Sequence, residues 1–202
     1  TGESATFSPE PVTNIIARVT GGRQSSIYGS LSAGANLYLL NPSGILFGQG
    51  ASVNVNGSFH ASTADSIRLT DETVFSAQPN PNPLLSVAPV EAFGFLSNSN
   101  RPVAIEIQGS VFKVSEGKDL SIIGGDLTIQ DSSLQAPGGR INLASVASVA
   151  STASSGEVIP SSSDLMMRNF ELLGKITLQS SLGPSALSPS NIDANMGQVF
   201  MF

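Results

Sequence analysis

The chain has 202 residues, 40% of them hydrophobic and only 12% charged, with a formal net charge of −6 and no cysteine. Globular chains usually carry about 25% charged residues, so Ser, Thr, Asn and Gln must supply much of the polar surface here. Disulfides and thiolate metal sites are excluded. The nine Lys and Arg are too scattered for a phosphate-binding surface, which excludes nucleic acid as a partner.

Residues 1–13 hold two prolines and little periodicity beyond Ala5-Thr6-Phe7. Short strands and tight corners begin at Asn14. Leu37 and Leu39 alternate with residues of the opposite face, which predicts a strand. Asn41-Pro42-Ser43-Gly44 then predicts a type I turn, with Pro at the second place and the Asn41 side chain able to hold it. Ile45-Leu46-Phe47 is the next strand and Gly48-Gln49-Gly50 the next turn. Ser52-Val53-Asn54-Val55 alternates again, and Asn56-Gly57 turns once more. No corner is long enough to hold a crossover helix. No apolar run approaches the ~18 residues of a membrane-spanning helix.

An apolar-x-apolar pair recurs downstream at Val53/Val55, Ile67/Leu69, Ile105/Ile107, Phe112/Val114, Leu120/Ile122, Leu127/Ile129, Ile141/Leu143 and Ile176/Leu178. Leu134 fills the gap between Leu127 and Ile141, so four apolar residues follow one another at sevenfold spacing. A coiled coil shares that period. It is ruled out by Gly124-Gly125, Asp131-Ser132-Ser133 and Pro137-Gly138-Gly139 between the members, which break helices. The better solution is a strand and a corner per seven residues, or roughly 21 residues in a three-sided coil. Stacking such coils at about 4.8 Å builds a right-handed parallel β-helix.

Residues 71–100 break the rhythm with Pro79, Pro81, Pro83 and Pro89, which cannot donate to a ladder. They predict an extra-helical excursion, pinned to the helix by Phe93 and Phe95. Residues 145–163 are rich in Ala and Ser and predict a mobile loop. Lys175-Ile176-Thr177-Leu178 resumes the coil, so residues 1–202 are expected to form one domain. The chain begins without Met and ends inside the strand-like Val199-Phe200-Met201-Phe202. It is therefore read as a fragment of a longer protein.

Three ordered blocks carry a family resemblance. Val19-Thr20-Gly21-Gly22 with Ile27-Tyr28-Gly29-Ser30-Leu31 is the first. Asn36-Leu37-Tyr38-Leu39-Leu40 leading into Asn41-Pro42-Ser43-Gly44-Ile45 is the second. Gly57-Ser58-Phe59-His60-Ala61-Ser62-Thr63 is the third. Over residues 14–70 the chain resembles the haemagglutination-activity, or two-partner-secretion, domain of filamentous-haemagglutinin-like exoproteins. Ser43 stands where the family's NPNGI motif has a second Asn. The family's NPNL motif has no counterpart in residues 1–13. Asn80-Pro81-Asn82-Pro83-Leu84 lies downstream of Asn41, in the wrong order, and reads as a proline-rich loop.

The resemblance implies an adhesin-like exoprotein of a Gram-negative bacterium, exported through the periplasm to the cell surface or medium. Its implied partner is an outer-membrane β-barrel transporter with POTRA domains, with a host-cell or glycan receptor as a further partner. It implies no cofactor. Residues Asn41, Pro42, Ser43, Gly44 and Ile45 are the implied secretion motif. Their own chemistry predicts a structural corner.

Parallel β-helices also house polysaccharide lyases and hydrolases, which need convergent carboxylates and a basic group. The candidates are Asp119, Asp126 and Asp131, with Lys118 and Arg140. Asp119 and Asp126 each precede the apolar pair of their strand, which places them on successive faces and not in one cleft. His60 is the only histidine and is expected at a half-exposed strand position. Met166 and Met167 near Phe170 read as packing. The Gly21-Gly22, Gly124-Gly125 and Gly138-Gly139 pairs lack a phosphate-loop Lys and read as corners. The expectation is a non-enzymatic secretion domain. The alternatives are a carbohydrate-active β-helix enzyme and a purely structural surface-fibre segment.

Overall fold

A computed structural model describes residues 3–7, 12–78, 86–97, 102–161, 163–180 and 190–202, and all its regular elements are strands. Three parallel sheets form the walls of a β-helix. The first contains Asn14–Arg18, Asn36–Leu40, Phe59–Ser62, Leu120–Gly124, Arg140–Val149 and Gln198–Met201. The second contains Ser25–Ile27, Ile45–Phe47, Ile105–Gln108, Leu127–Gln130 and Ile176–Gln179. The third contains Ser4–Phe7, Ser30–Ala33, Ser52–Val55, Val111–Val114, Ser133–Gln135 and Asn191–Asp193. The chain visits them in that order, once per coil. Asn14 pairs with Asn36, 22 residues on, and Ser121 with Asn142, 21 residues on. The predicted period of about 21 is thus the observed one.

Period-two alternation aims one residue in two inward. Leu120, Leu127, Leu134 and Ile141 are all fully buried in one core, on successive sheets. Leu127 stacks on Ile105 and Ile176, Ile141 on Leu120 and Val199. Phe47, Phe59 and Phe112 meet edge to face near the middle, with Phe47 and Phe112 centroids 4.7 Å apart at 71°. Such geometry adds about 0.5–1.5 kcal/mol per pair beyond the burial itself.

A separate antiparallel sheet lies outside the helix, in the order Val74–Ser76, Ser66–Leu69, Val90–Leu96, Ser155–Pro160, Leu165–Arg168. It covers the outer side of the first parallel sheet. There Tyr38, Leu40, Ile123 and Ala144 point outward and bury against Ile67, Phe93, Phe95 and Val158 in a second core. Phe93 and Phe95 do pin this sheet. Arg68 locks it from the far side, with Nε 2.7 Å from Glu157 Oε1, Nη2 3.0 Å from Glu157 Oε2, and a further ion pair to Glu91.

Two expectations are corrected here. Ile67/Leu69 mimics a coil pair, but its strand belongs to the antiparallel sheet. Much of the expected loop over residues 145–163 is strand: Arg140–Val149 runs on into it, and Ser155–Pro160 pairs with both Val90–Leu96 and Leu165–Arg168. Its small residues fit because the outer face of the helix and the Phe side chains supply the bulk. The proline-rich run at 80–84 lies outside the described residues.

Candidate functional site

The corner at Asn41-Pro42-Ser43-Gly44 joins the first parallel sheet to the second. Asn41 is fully buried. Its side chain is consumed inside the molecule: Nδ2 donates to the Arg23 carbonyl at 2.9 Å and to Ser25 Oγ at 2.8 Å, while Oδ1 accepts from the Ser43 backbone N–H at 2.9 Å. The Gly44 N–H donates to the Asn41 carbonyl at 3.1 Å and closes the turn. Pro42 fixes its own φ within it. This is the turn expected from sequence, with the Asn side chain holding it.

The corner is also stapled to both neighbouring coils. Asn41 N–H donates to the Ser62 carbonyl and Ser25 N–H to the Gly44 carbonyl, both at 3.0 Å. Gly44 has φ 104°, a region open to glycine. A Cβ there would lie 3.0 Å from Val103 Cγ1. Ile45 then enters the core with no exposure. Pro42 and Ser43 form the half-exposed outer rim. Among the described residues no acidic or basic side chain is bonded to this corner, which offers shape and hydrogen-bonded order.

The candidate catalytic carboxylates are held apart. Asp119 lies at the corner before the first sheet, Asp126 at the corner before the second, Asp131 at the corner before the third. The side-chain oxygens of Asp119 and Asp126 serve the stack. Ser58 N–H donates to Asn36 Oδ1, Asp119 N–H to Ser58 Oγ, and Arg140 N–H to Asp119 Oδ1, at 2.8, 3.0 and 3.1 Å. Each side chain thus accepts the backbone N–H of the coil above it. Asp119 also pairs with the Arg140 guanidinium. Asp126 Oδ1 accepts from Lys175 N–H at 2.9 Å in the same manner. Lys118 is exposed. Among the described residues, no group of three or more His, Cys, Asp and Glu could hold a metal.

His60 is buried, at 7% exposure, and not half-exposed as expected. It points outward from the helix, yet the antiparallel sheet covers it. Its ring stacks on Tyr38 at 4.4 Å and 6°, with Phe93 at 6.0 Å. Burial first, then the Arg140 charge, depresses its pKa to about 3. Burial, helped by Asp119, raises the Tyr38 phenol to about 12. Both rings are therefore neutral near pH 7. Met167 and Phe170 pack against the same outer core. The Tyr38–His60 stack was not legible in sequence; the one available signal was their equal place in successive coils.

Against known proteins, the model of the TPS secretion domain matches residues 1–183. A heme/hemopexin-binding protein of Haemophilus influenzae strain Rd is 45% identical over 64 residues, covering 31% of this chain and 7% of that protein. A second protein of that description from Haemophilus influenzae is 43% identical over 56 residues, covering 28% and 6%. The chain thus spans a small fraction of the length of these relatives. With the parallel β-helix and the corner motif in place, the family match is decisive: the chain belongs to the two-partner-secretion (TPS) domain family, the secretion domains of exoproteins that leave Gram-negative bacteria through the periplasm and an outer-membrane transporter.

Proposed function

We propose that this chain directs export of its exoprotein through the transporter and starts β-helix folding as it emerges. The transporter presents periplasmic POTRA domains, and the chain acts as one domain over residues 1–202 with an extra-helical excursion at 71–100. The segment Asn41, Pro42, Ser43, Gly44 and Ile45 is its secretion motif. The observation that carries this reading is the buried Asn41 side chain, which bonds to the preceding coil through Arg23 and Ser25. A side chain hidden in this way acts on folding and not by direct recognition, leaving Pro42 and Ser43 as the rim available for contact. A locally encoded corner lowers the entropy of closing a coil, and stacked repeats grow from a formed neighbour.

The domain is not an enzyme in this proposal. The use of Asp119 and Asp126 as ladder acceptors supports that. A host-cell or glycan receptor belongs to the complete exoprotein. The experiment is to co-express the complete exoprotein with its transporter and follow Asn41→Ala and Ser43→Ala. Asn41→Ala should lose most exported protein, with degradation or retention in the periplasm, while Ser43→Ala exports normally. Normal export of Asn41→Ala, with the purified domain destabilised, would reduce the motif to a corner.

A further inference from the structure

Asn56-Gly57 turns the chain from Ser52–Val55 in the third sheet to Phe59–Ser62 in the first, and it is the only Asn-Gly pair in the sequence. Hydrogen bonds hold the two sides of this corner and leave its centre free. Asn56 N–H donates to the Ala33 carbonyl at 3.0 Å and Ser58 N–H to Asn36 Oδ1 at 2.8 Å, both in the preceding coil. Between them, the Gly57 N–H has no partner among the described residues. Asn56 is exposed, and its side chain likewise makes no hydrogen bond among them. Gly57 is buried against Asn36: a Cβ on it would lie 2.4 Å from Asn36 N and 2.5 Å from Asn36 Oδ1. Stacking therefore demands glycine here, directly after an exposed asparagine.

We propose that Asn56 is a self-modification site, converted to aspartate and isoaspartate by attack of the Gly57 nitrogen on its side-chain carbonyl carbon. The N–Cγ bond forms as the Gly57 proton passes to solvent. The Cγ–Nδ2 bond breaks, and ammonia leaves a succinimide ring. Water then opens the ring. Addition at Cγ gives aspartate with the main chain unchanged. Addition at the Asn56 main-chain carbonyl gives isoaspartate, whose main chain runs through Cβ and Cγ. The net change consumes one water and releases one ammonia, with no oxidation or reduction. Each local feature favours the attack. Glycine has no Cβ to shield its nitrogen, and the unbonded N–H loses its proton without breaking a hydrogen bond. Asparagine is among the thermolabile side chains. Asn54 supplies the contrast. It is exposed too, but the buried, β-branched Val55 follows it, in a strand paired on both sides. The two products differ in consequence. Val55 stacks on Ala33 and Val114, and Phe59 on Leu37 and Leu120, which fixes the span of the corner. Isoaspartate lengthens the main chain where Gly57 has no room beside Asn36, so the coil must loosen. Aspartate only adds a charge at an exposed place. This proposal stands independently of the export reading.

The test incubates the purified 202-residue chain at mildly alkaline pH, both folded and in urea. Peptide mass spectrometry locates each converted Asn, and isoaspartyl methyltransferase counts the isoaspartate. In the folded chain Asn56 should convert ahead of every other Asn, Asn54 included. The ring geometry requires the Asn56 and Ser58 N–H bonds to open, so conversion of the folded chain should be about thirtyfold slower than in urea. The isoaspartyl fraction should melt below the parent, while Asn56→Asp should melt with it. Asn56→Ser should fold as the parent does and end ammonia release from this corner. Protection of Asn56 in the folded chain beyond about a thousandfold, earlier conversion of Asn54, or an isoaspartyl form as stable as the parent would overturn the proposal.

Discussion

Replacing Asn41 by Ala tests whether the corner is held by one side chain. The change removes three hydrogen bonds, to the Arg23 carbonyl, Ser25 Oγ and Ser43 N–H. A polar group left unsatisfied in a buried place costs about 1–3 kcal/mol. Arg23 is exposed and Ser25 and Ser43 are half-buried, so water can partly replace the lost partner. The expected loss is therefore about 2–3 kcal/mol, and not three full penalties. For a chain of this length that is a fall of roughly 4–12 °C in Tm. Ser43 is the internal control. Among the described residues its side chain makes no hydrogen bond, so Ser43→Ala should stay within about 0.5 kcal/mol. Urea melts followed by circular dichroism measure both, with a constant m value as the check that the same surface unfolds. A double cycle with Ser25→Ala should return a coupling energy of about 1 kcal/mol between Asn41 and Ser25. The reasoning is refuted by an Asn41→Ala variant as stable as the parent, or by equal losses for Asn41→Ala and Ser43→Ala.

Two further predictions concern the two cores. Leu120→Ala, Leu127→Ala, Leu134→Ala and Ile141→Ala should each cost about 2–5 kcal/mol in denaturant melts, because each vacates a fully buried place between stacked neighbours; four changes near zero would break the assigned register. Burial holds His60 near pKa 3 in the fold, below its ordinary 6.5, so only the unfolded chain takes up its proton in the window between. Stability should thus be whole above about pH 6.5 and fall toward pH 3, by up to about 1.4 kcal/mol per pH unit from this group. Tyr38, stacked on it, and the Arg140 charge are the titratable and charged groups that act on it, while Asp119 acts on Tyr38. The difference between parent and His60→Gln melts isolates its share; parallel pH curves for the two would count against a buried neutral imidazole.

The helix was legible because its rule is local. Each coil repeats an apolar-x-apolar pair and a corner, and Leu120, Leu127, Leu134 and Ile141 announce three faces by spacing alone. The Asn41 turn was legible for the same reason, since Pro42 and Asn41 act within four residues. Partners distant in sequence were not. Nothing in Ser155–Pro160 signals a strand, because what makes it one is Phe93 pairing with Val158 across the molecule. His60 looked half-exposed because its alternation points it out of the helix, and only the antiparallel sheet turns that outside into an inside. Asp119 and Asp126 showed their corner positions in sequence, but not that their oxygens cap the next coil.

The antiparallel sheet also constrains the order of assembly. The chain leaves the helix after Ser62 and returns at Ile105, then leaves again after Ser145 and returns at Ile176. Both departures occur at the corner between the first and second sheets, the corner that Asn41 to Gly44 closes one coil before the first of them. Strand Val90–Leu96 comes from the first departure and Ser155–Pro160 from the second, yet they are hydrogen-bonded neighbours. They can meet only once Phe59–Ser62, Leu120–Gly124 and Arg140–Val149 have stacked and aligned the two exits. Closing such distant pairs before the stack exists would cost loop entropy with no contact to offset it. Along the first sheet the coils around Asn41 have neighbours 22 residues away. The corner therefore belongs to the part of the molecule able to order first as chain emerges from a pore, and the covering sheet to the part that follows.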